Sequence, residues 1–170
     1  MKRANGTGSI VHLPGRRRRP WAVRVSGRGE SGRVVQRLVS YHERAADAQS
    51  ALEEYNRRDA LRRALDNFEF LGLDGLLLFA GSNVVAFSIG GRMHERYYDV
   101  MFEKADADIP GAYPLINREF ARMVREKYPA VEFLNREDDM GEEGLRKAKE
   151  SYQPTVLLRK YTADWQEDAS

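Results

Sequence analysis

Hydrophobic residues near the start of the chain come in short, strand-like runs. Residues 8–13, GSIVHL, are β-prone and end at Pro14-Gly15, a turn signal. In residues 20–26, PWAVRVS, Trp21, Val23 and Val25 point one way, and Ala22, Arg24 and Ser26 the other. The Gly-rich stretch 27–32 predicts a turn, and 33–41, RVVQRLVSY, a third strand that forms a hairpin with the second. The period then changes. In ERAADAQSALEEYNRR, Ala48, Leu52 and Tyr55 fall at i, i+4 and i+7 of a helix, with Asp47 as the best available N-cap. The Trp/Val face of the sheet is expected to rest on that stripe. The opposite face carries Arg24 with either Arg37 or Gln36, according to a register that a one-residue slip would invert.

A second stripe, Leu61, Leu65 and Phe68, is rotated from the first, and the domain boundary is placed at 57–60. Beyond Gly72, the runs 75–81, 84–92 and 96–105 predict an antiparallel meander. PGAYPLINREFARMVREKYP predicts a helix with Ala112, Leu115, Ile116, Phe120, Met123 and Val124 on one face and Pro114 in its first turn. Residues 130–135 predict a strand. GEEGLRKAKESY predicts a helix, with Glu142 and Glu143 early and Arg146, Lys147 and Lys149 late, as its dipole favours. Residues 155–161, TVLLRKY, predict a last strand. The expected fold class is α+β. A small three-stranded antiparallel sheet plus helix occupies domain 1–57, a mixed sheet with two helices occupies domain 58–164, and 165–170 form a flexible tail.

Charge divides the chain in the same place. The net charge of the 170 residues is +2, but residues 1–37 hold ten Lys/Arg against one acid, Glu30. The remainder is therefore acidic overall. A basic end of this kind calls for a polyanionic partner. Cysteine is absent, which excludes disulfides and thiol catalysis, and His12, His42 and His94 lack metal-ligand spacing, so no metal site is expected. No apolar run approaches the ~20 residues of a membrane span, and no signal peptide is legible. A cytoplasmic protein without a membrane partner is expected.

RANGTGSI, RRRRPWAVRV and ALEEYN, in this order, resemble the N-terminal arm-site DNA-binding domain of phage and transposon tyrosine integrases over about residues 3–56. That family reads DNA with a three-stranded sheet. The resemblance implies double-stranded DNA as partner, with Arg16, Arg17, Arg18, Arg19, Arg24, Arg28, Arg33 and Arg37 as contacts. It also implies an accessory protein of a phage or mobile element, which could regulate its own operon. That such a protein inhibits a host nuclease defence such as CRISPR is an expectation from the habits of mobile elements, not from these residues.

VVAFSIGGR, FEKADAD and NREDDMGEEGLRKAKESYQP resemble the C-terminal domain of phosphatidylglycerol lysyltransferases over about residues 61–163. This implies the later part of a GNAT acyltransferase fold, with its opening strands and helix replaced by the basic segment. The alternative function is therefore an acyl- or aminoacyl-transferase targeted to DNA. By that likeness Glu103 stands where a general base is kept, Tyr152 where a general acid is kept, and Asn135 at the mouth of a substrate cleft. Each also has a structural reading: Glu103 paired with Lys104 or an arginine, and Tyr152 packed beside Leu145 and Ala148. Asp106 and Asp108 stand where GNAT enzymes cradle pyrophosphate, so no coenzyme A and no other cofactor is expected. The partial fold favours a protein-partner scaffold. A homodimer that supplied the missing half would restore the enzyme.

Overall fold

Two units make up the computed structural model, Met1–Phe68 and Glu69–Ser170; residues 8–28, 33–137 and 143–158 are described. The first unit holds β1 (Ser9–His12), β2 (Trp21–Arg28), β3 (Val34–His42) and α1 (Ala45–Asp66). The strands form one antiparallel sheet in the order β1-β2-β3. As the alternation predicts, Val23 and Val25 are buried against Ala48 and Leu52 of α1, with Ile10, Trp21, Ala51 and Tyr55 packed around them. The His12 ring meets Trp21 edge-on, centroids 4.9 Å apart. Gly8 opens β1 at φ +65°. A Cβ there would stand 2.8 Å from the Arg24 carbonyl and 2.9 Å from Leu52 Cδ1, so only glycine lets the chain enter the sheet at this point.

The register left open by the sequence is fixed by a bulge between Val23 and Arg24, which leaves Val39 without a partner on β2. Arg24 lies opposite Leu38 and Ser26 opposite Gln36, so Gln36 shares the helix-free face with Arg24. Arg37 lies opposite Val25 on the face of α1.

The expected boundary at 57–60 falls inside α1, which runs unbroken for 22 residues. The polar stretch there is bridged along the helix by Arg58 to Glu54 (2.7 Å) and Arg63 to Asp59 (3.3 Å), pairs that keep a helix going without a core-facing stripe. Asp47 is not the N-cap. Arg44 holds that position, and its guanidinium grips Asp47, one turn in, with bonds of 2.7 and 3.0 Å.

The second unit holds β4 (Leu73–Ala80), β5 (Asn83–His94), β6 (Tyr97–Ala105), α2 (Ala112–Lys127), β7 (Phe133–Asn135) and α3 (Glu143–Glu150). The sheet order is β4-β5-β6-β7. The first three strands are antiparallel, and α2 crosses over to bring β7 in parallel with β6. The predicted apolar face of α2 is buried at Ala112, Ile116, Phe120 and Val124. Phe120 and Val124 form the core with Tyr98 and Val100. Beneath it Tyr98 donates to Asp74 (3.0 Å), which Lys127 also contacts. Burial opposes ionisation of Asp74, but bonds from Lys127, Tyr128 and Tyr98 outweigh it and hold the carboxyl below its ordinary range.

The predicted last strand does not form over Thr155–Leu158. Leu157 and Leu158 are 78% and 81% exposed, and a β-prone run without a ladder partner gains nothing from extending. Arg159–Tyr161 of that run, the tail 165–170, the tip of the predicted turn (29–32) and Glu142 lie outside the described residues.

Candidate functional site

In the second unit the parallel pairing of β6 and β7 stops at Asp99 and Asn135. β6 runs on to Ala105 without β7 beside it. The carboxyl ends of parallel strands are the usual ligand position in such sheets. Glu103 lies on this unpaired stretch of β6. Its carboxylate accepts from Arg136 Nη2 (2.6 Å) and from Asn117 Nδ2 of α2 (3.3 Å). The pair is well shielded, with side chains 10% and 25% exposed. The Arg136 guanidinium also lies over the Tyr152 ring, 4.6 Å from its centroid. Arginine 136 thus joins two of the three predicted catalytic residues, Glu103 and Tyr152.

Asn135 turns the other way. Its amide donates to Asp99 (2.9 Å), which is buried on the sheet face opposite α2. Burial, and then the carboxyl of Glu137 beside it, push Asp99 up to about 6. Glu137 takes a left-handed φ of 57°, and Lys149 of α3 donates to the carbonyls of Arg136 and Glu137. These polar contacts hold α3 to the sheet, since the helix buries no side chain.

Two buried polar atoms have no partner among the described residues: Ser88 Oγ and the second terminal nitrogen of the pair's own arginine, Arg136 Nη1. Ser88 stands opposite Glu103 in the ladder. Neither Ser88 nor Asp99 stood out in the sequence. Asp99 left one signal, a lone acid inside the otherwise uncharged run YYDVMF.

The turn before α2 is closed on itself. The amide of Asp106 donates to Val85 (2.8 Å), that of Asp108 to the Asp106 carboxylate (3.0 Å) and that of Ile109 to the Asp106 carbonyl (3.3 Å). Beside it runs a groove of about 310 Å³ lined by Leu78, Phe79, Val85, Ile109, Pro110 and Leu115. No cluster of His, Asp and Glu suited to a metal occurs among the described residues. Asp138 and Asp139 of the acidic run lie outside them.

In the first unit the arginine run follows β1. Arg16 and Arg19 are exposed without an acidic partner among the described residues, Arg17 donates to the Pro14 carbonyl (3.1 Å), and Arg18 pairs with Glu43 (3.0 Å). Arg19 lines an open concavity of about 550 Å³ with Tyr41, His42, Glu43, Arg44 and Asp47. Arg24 is half-buried and donates to Ser9 Oγ (3.2 Å). Arg33 and Arg37 are exposed, Arg37 on the α1 side. Arg28 is the last residue of β2, and its side chain lies outside the described residues.

Among the described residues no helix is long and apolar enough to cross a membrane. No curated protein matches the chain. A solved structure from Bacteroides thetaiotaomicron VPI-5482, a conserved protein of unknown function, is 48% identical over 62% of this chain, with a TM-score of 0.57. The chain spans only 34% of that protein's length. A ribosomal-protein-alanine N-acetyltransferase from Brucella melitensis biovar Abortus 2308 is 18% identical, covering 55% of this chain and 72% of its own, with a TM-score of 0.47. The family described as phosphatidylglycerol lysyltransferase, C-terminal, matches residues 31–164, a stretch that opens before β3 and takes in α1 as well as the whole four-stranded sheet. By that match this chain belongs to the phosphatidylglycerol lysyltransferase C-terminal family.

Proposed function

We propose that the first unit binds double-stranded DNA and that the acyltransferase-derived second unit serves as a scaffold for a protein partner. The observation that carries this reading is the row Arg16, Arg17 and Arg19, exposed and without acidic partners among the described residues, beside a sheet whose helix-free face bears Arg24. Arginines so placed lie along phosphates and release counterions on binding. A mobile-element accessory role rests on the integrase resemblance, and a host nuclease, suggested by the habits of such elements and by no residue, is the first partner to try. The scaffold reading is supported by Glu103, whose two oxygens are both engaged, one by Arg136 and one by Asn117. The test is the salt dependence of DNA affinity. Replacing Arg16, Arg17 and Arg19 together by Ala should lower the slope of log K against log salt by up to ~2.7, at about 0.9 per phosphate contact. Arg18→Ala should move it less, because Glu43 already neutralises that charge. An unchanged slope in the triple variant removes the arginine run from the interface.

A second reading, group transfer at the carboxyl ends of β6 and β7, is favoured by Ser88 Oγ and Arg136 Nη1, which are buried near Glu103 with no partner among the described residues. Those atoms could take the carbonyl oxygen of an acyl or aminoacyl group. Coenzyme A is a poor fit as donor, since the turn amides are spent internally and Asp106 and Asp108 would repel a pyrophosphate. Calorimetric titration with acetyl-coenzyme A should show no binding. Micromolar affinity with a matching rise in melting temperature would overturn the scaffold reading. If transfer is then observed, Glu103→Gln and Tyr152→Phe should abolish turnover.

A further inference from the structure

We propose that Arg24 is the base-reading residue of the first unit, that it takes the major-groove edge of a guanine, and that Ser9 positions it. The inference rests on the DNA reading above and names what the sheet recognises. On the helix-free face Ser9, Arg24 and Leu38 form one row across the three strands, and Gln36 shares that face. Strands β1, β2 and β3 contain no Asp or Glu, so no carboxylate of the sheet competes for this guanidinium or repels a polyanion laid on it.

Restraint separates Arg24 from the exposed Arg16 and Arg19. Arg24 is half-buried on the central strand, and Ser9 Oγ, directly opposite on β1, accepts from its Nε at 3.2 Å. That bond orients the guanidinium and spends its single inner donor. The two terminal nitrogens remain as an end-on fork. Guanine alone among the bases sets two acceptors, O6 and N7, side by side in the major groove. In the minor groove it adds a donor, N2–H, which an arginine without acceptors cannot answer. The neighbours of Arg24 also suit base edges better than phosphates. Leu38 is 37% exposed and offers an apolar contact, and the exposed Gln36 offers a neutral amide. A mobile exposed arginine serves for a phosphate, whereas an oriented fork carries sequence information.

The test is selection of duplexes from a randomised pool by the full chain, followed by affinity and salt dependence on the selected duplex and on duplexes altered at single pairs. The selected duplexes should share a fixed G·C pair. Replacing it by A·T should weaken binding about 5–150-fold, the range of one bidentate contact. Replacing the guanine by 7-deazaguanine, which lacks the N7 acceptor, should cost part of that factor. Arg24→Lys keeps the charge and loses the fork. It should bind an unrelated duplex with the unaltered slope of log K against log salt, yet no longer distinguish the fixed pair. Ser9→Ala should weaken discrimination at that pair alone, and Ser9→Thr, which keeps the hydroxyl, should restore it. A merely structural serine would change affinity for every duplex alike. Salt-dependent binding without a fixed pair, or an Arg24→Lys variant that still discriminates there, overturns this inference and leaves the DNA reading standing. Failure to bind any duplex overturns both. Should Arg24→Lys unfold, the 7-deazaguanine loss decides: it must shrink in Ser9→Ala and return in Ser9→Thr.

Discussion

Asp99 and Asp74 are both buried acids of the second unit, and their surroundings drive them in opposite directions. Asp99 keeps its proton up to about pH 6, because burial and then Glu137 disfavour its charge. The folded state therefore holds a proton that the unfolded chain gives up near pH 4. The stability this confers is fully present below that point and is lost as pH rises through about 6. Asp74 has the opposite sign: its contribution is present at neutral pH and is lost as pH falls, because its partners favour the charged form. Urea unfolding from pH 7 down to well below pH 4 should separate them. Asp99→Asn should abolish a fall of no more than about 2 kcal/mol between pH 4 and 6 while leaving the acid-side loss from Asp74. A profile that Asp99→Asn does not alter would show that Asp99 ionises normally in the fold.

The elements were largely legible because their hydrophobic periods are unmixed. Trp21, Val23 and Val25 alternate, and Ala112, Ile116, Phe120 and Val124 repeat every four residues; each set is packed against a partner as its period requires. Features set by long-range contact were not legible. The 155–161 run looks like a strand by composition, but a strand needs an edge to join. The turn of the apolar stripe at 57–60 is compatible with a bend or with one long helix, and helix-surface ion pairs carry α1 straight through it. The candidate site was legible only as positions. Glu103 and Tyr152 could be named from resemblance, but Arg136, which joins them, brings together residues 33 apart on one side and 16 on the other. The register shift beside Gly90, which leaves Met101 of β6 unpaired in the ladder, marks another such case. A Cβ on Gly90 would stand 2.2 Å from the Asp99 carbonyl and 2.6 Å from Tyr98 Cε1, whereas one on Gly91 would meet only the movable Leu73 Cδ2, at 3.0 Å. Gly90→Ala should cost about 1–3 kcal/mol or more, since backbone cannot yield, and Gly91→Ala distinctly less. Equal melting temperatures for the two variants would contradict this packing.

At the scale of the whole molecule, the first unit is centred on Val23, Val25, Ala48 and Leu52, and the second on Tyr98, Val100, Phe120 and Val124. The two cores share no residue. Thermal unfolding should therefore resolve into two transitions. Leu52→Ala should lower one of them and Phe120→Ala the other, each by the ~2–5 kcal/mol of a large-to-small core change. A single transition displaced by either substitution would mean that the units unfold together. The edge-on contact of His12 with Trp21 bears on how this can be watched. The chain has only two tryptophans, and Trp165 lies outside the described residues, so Trp165→Phe leaves one indole, packed against the first core. The emission of that variant becomes a private optical channel for the basic unit. It would register loss of that sheet or docking of a polyanion on it.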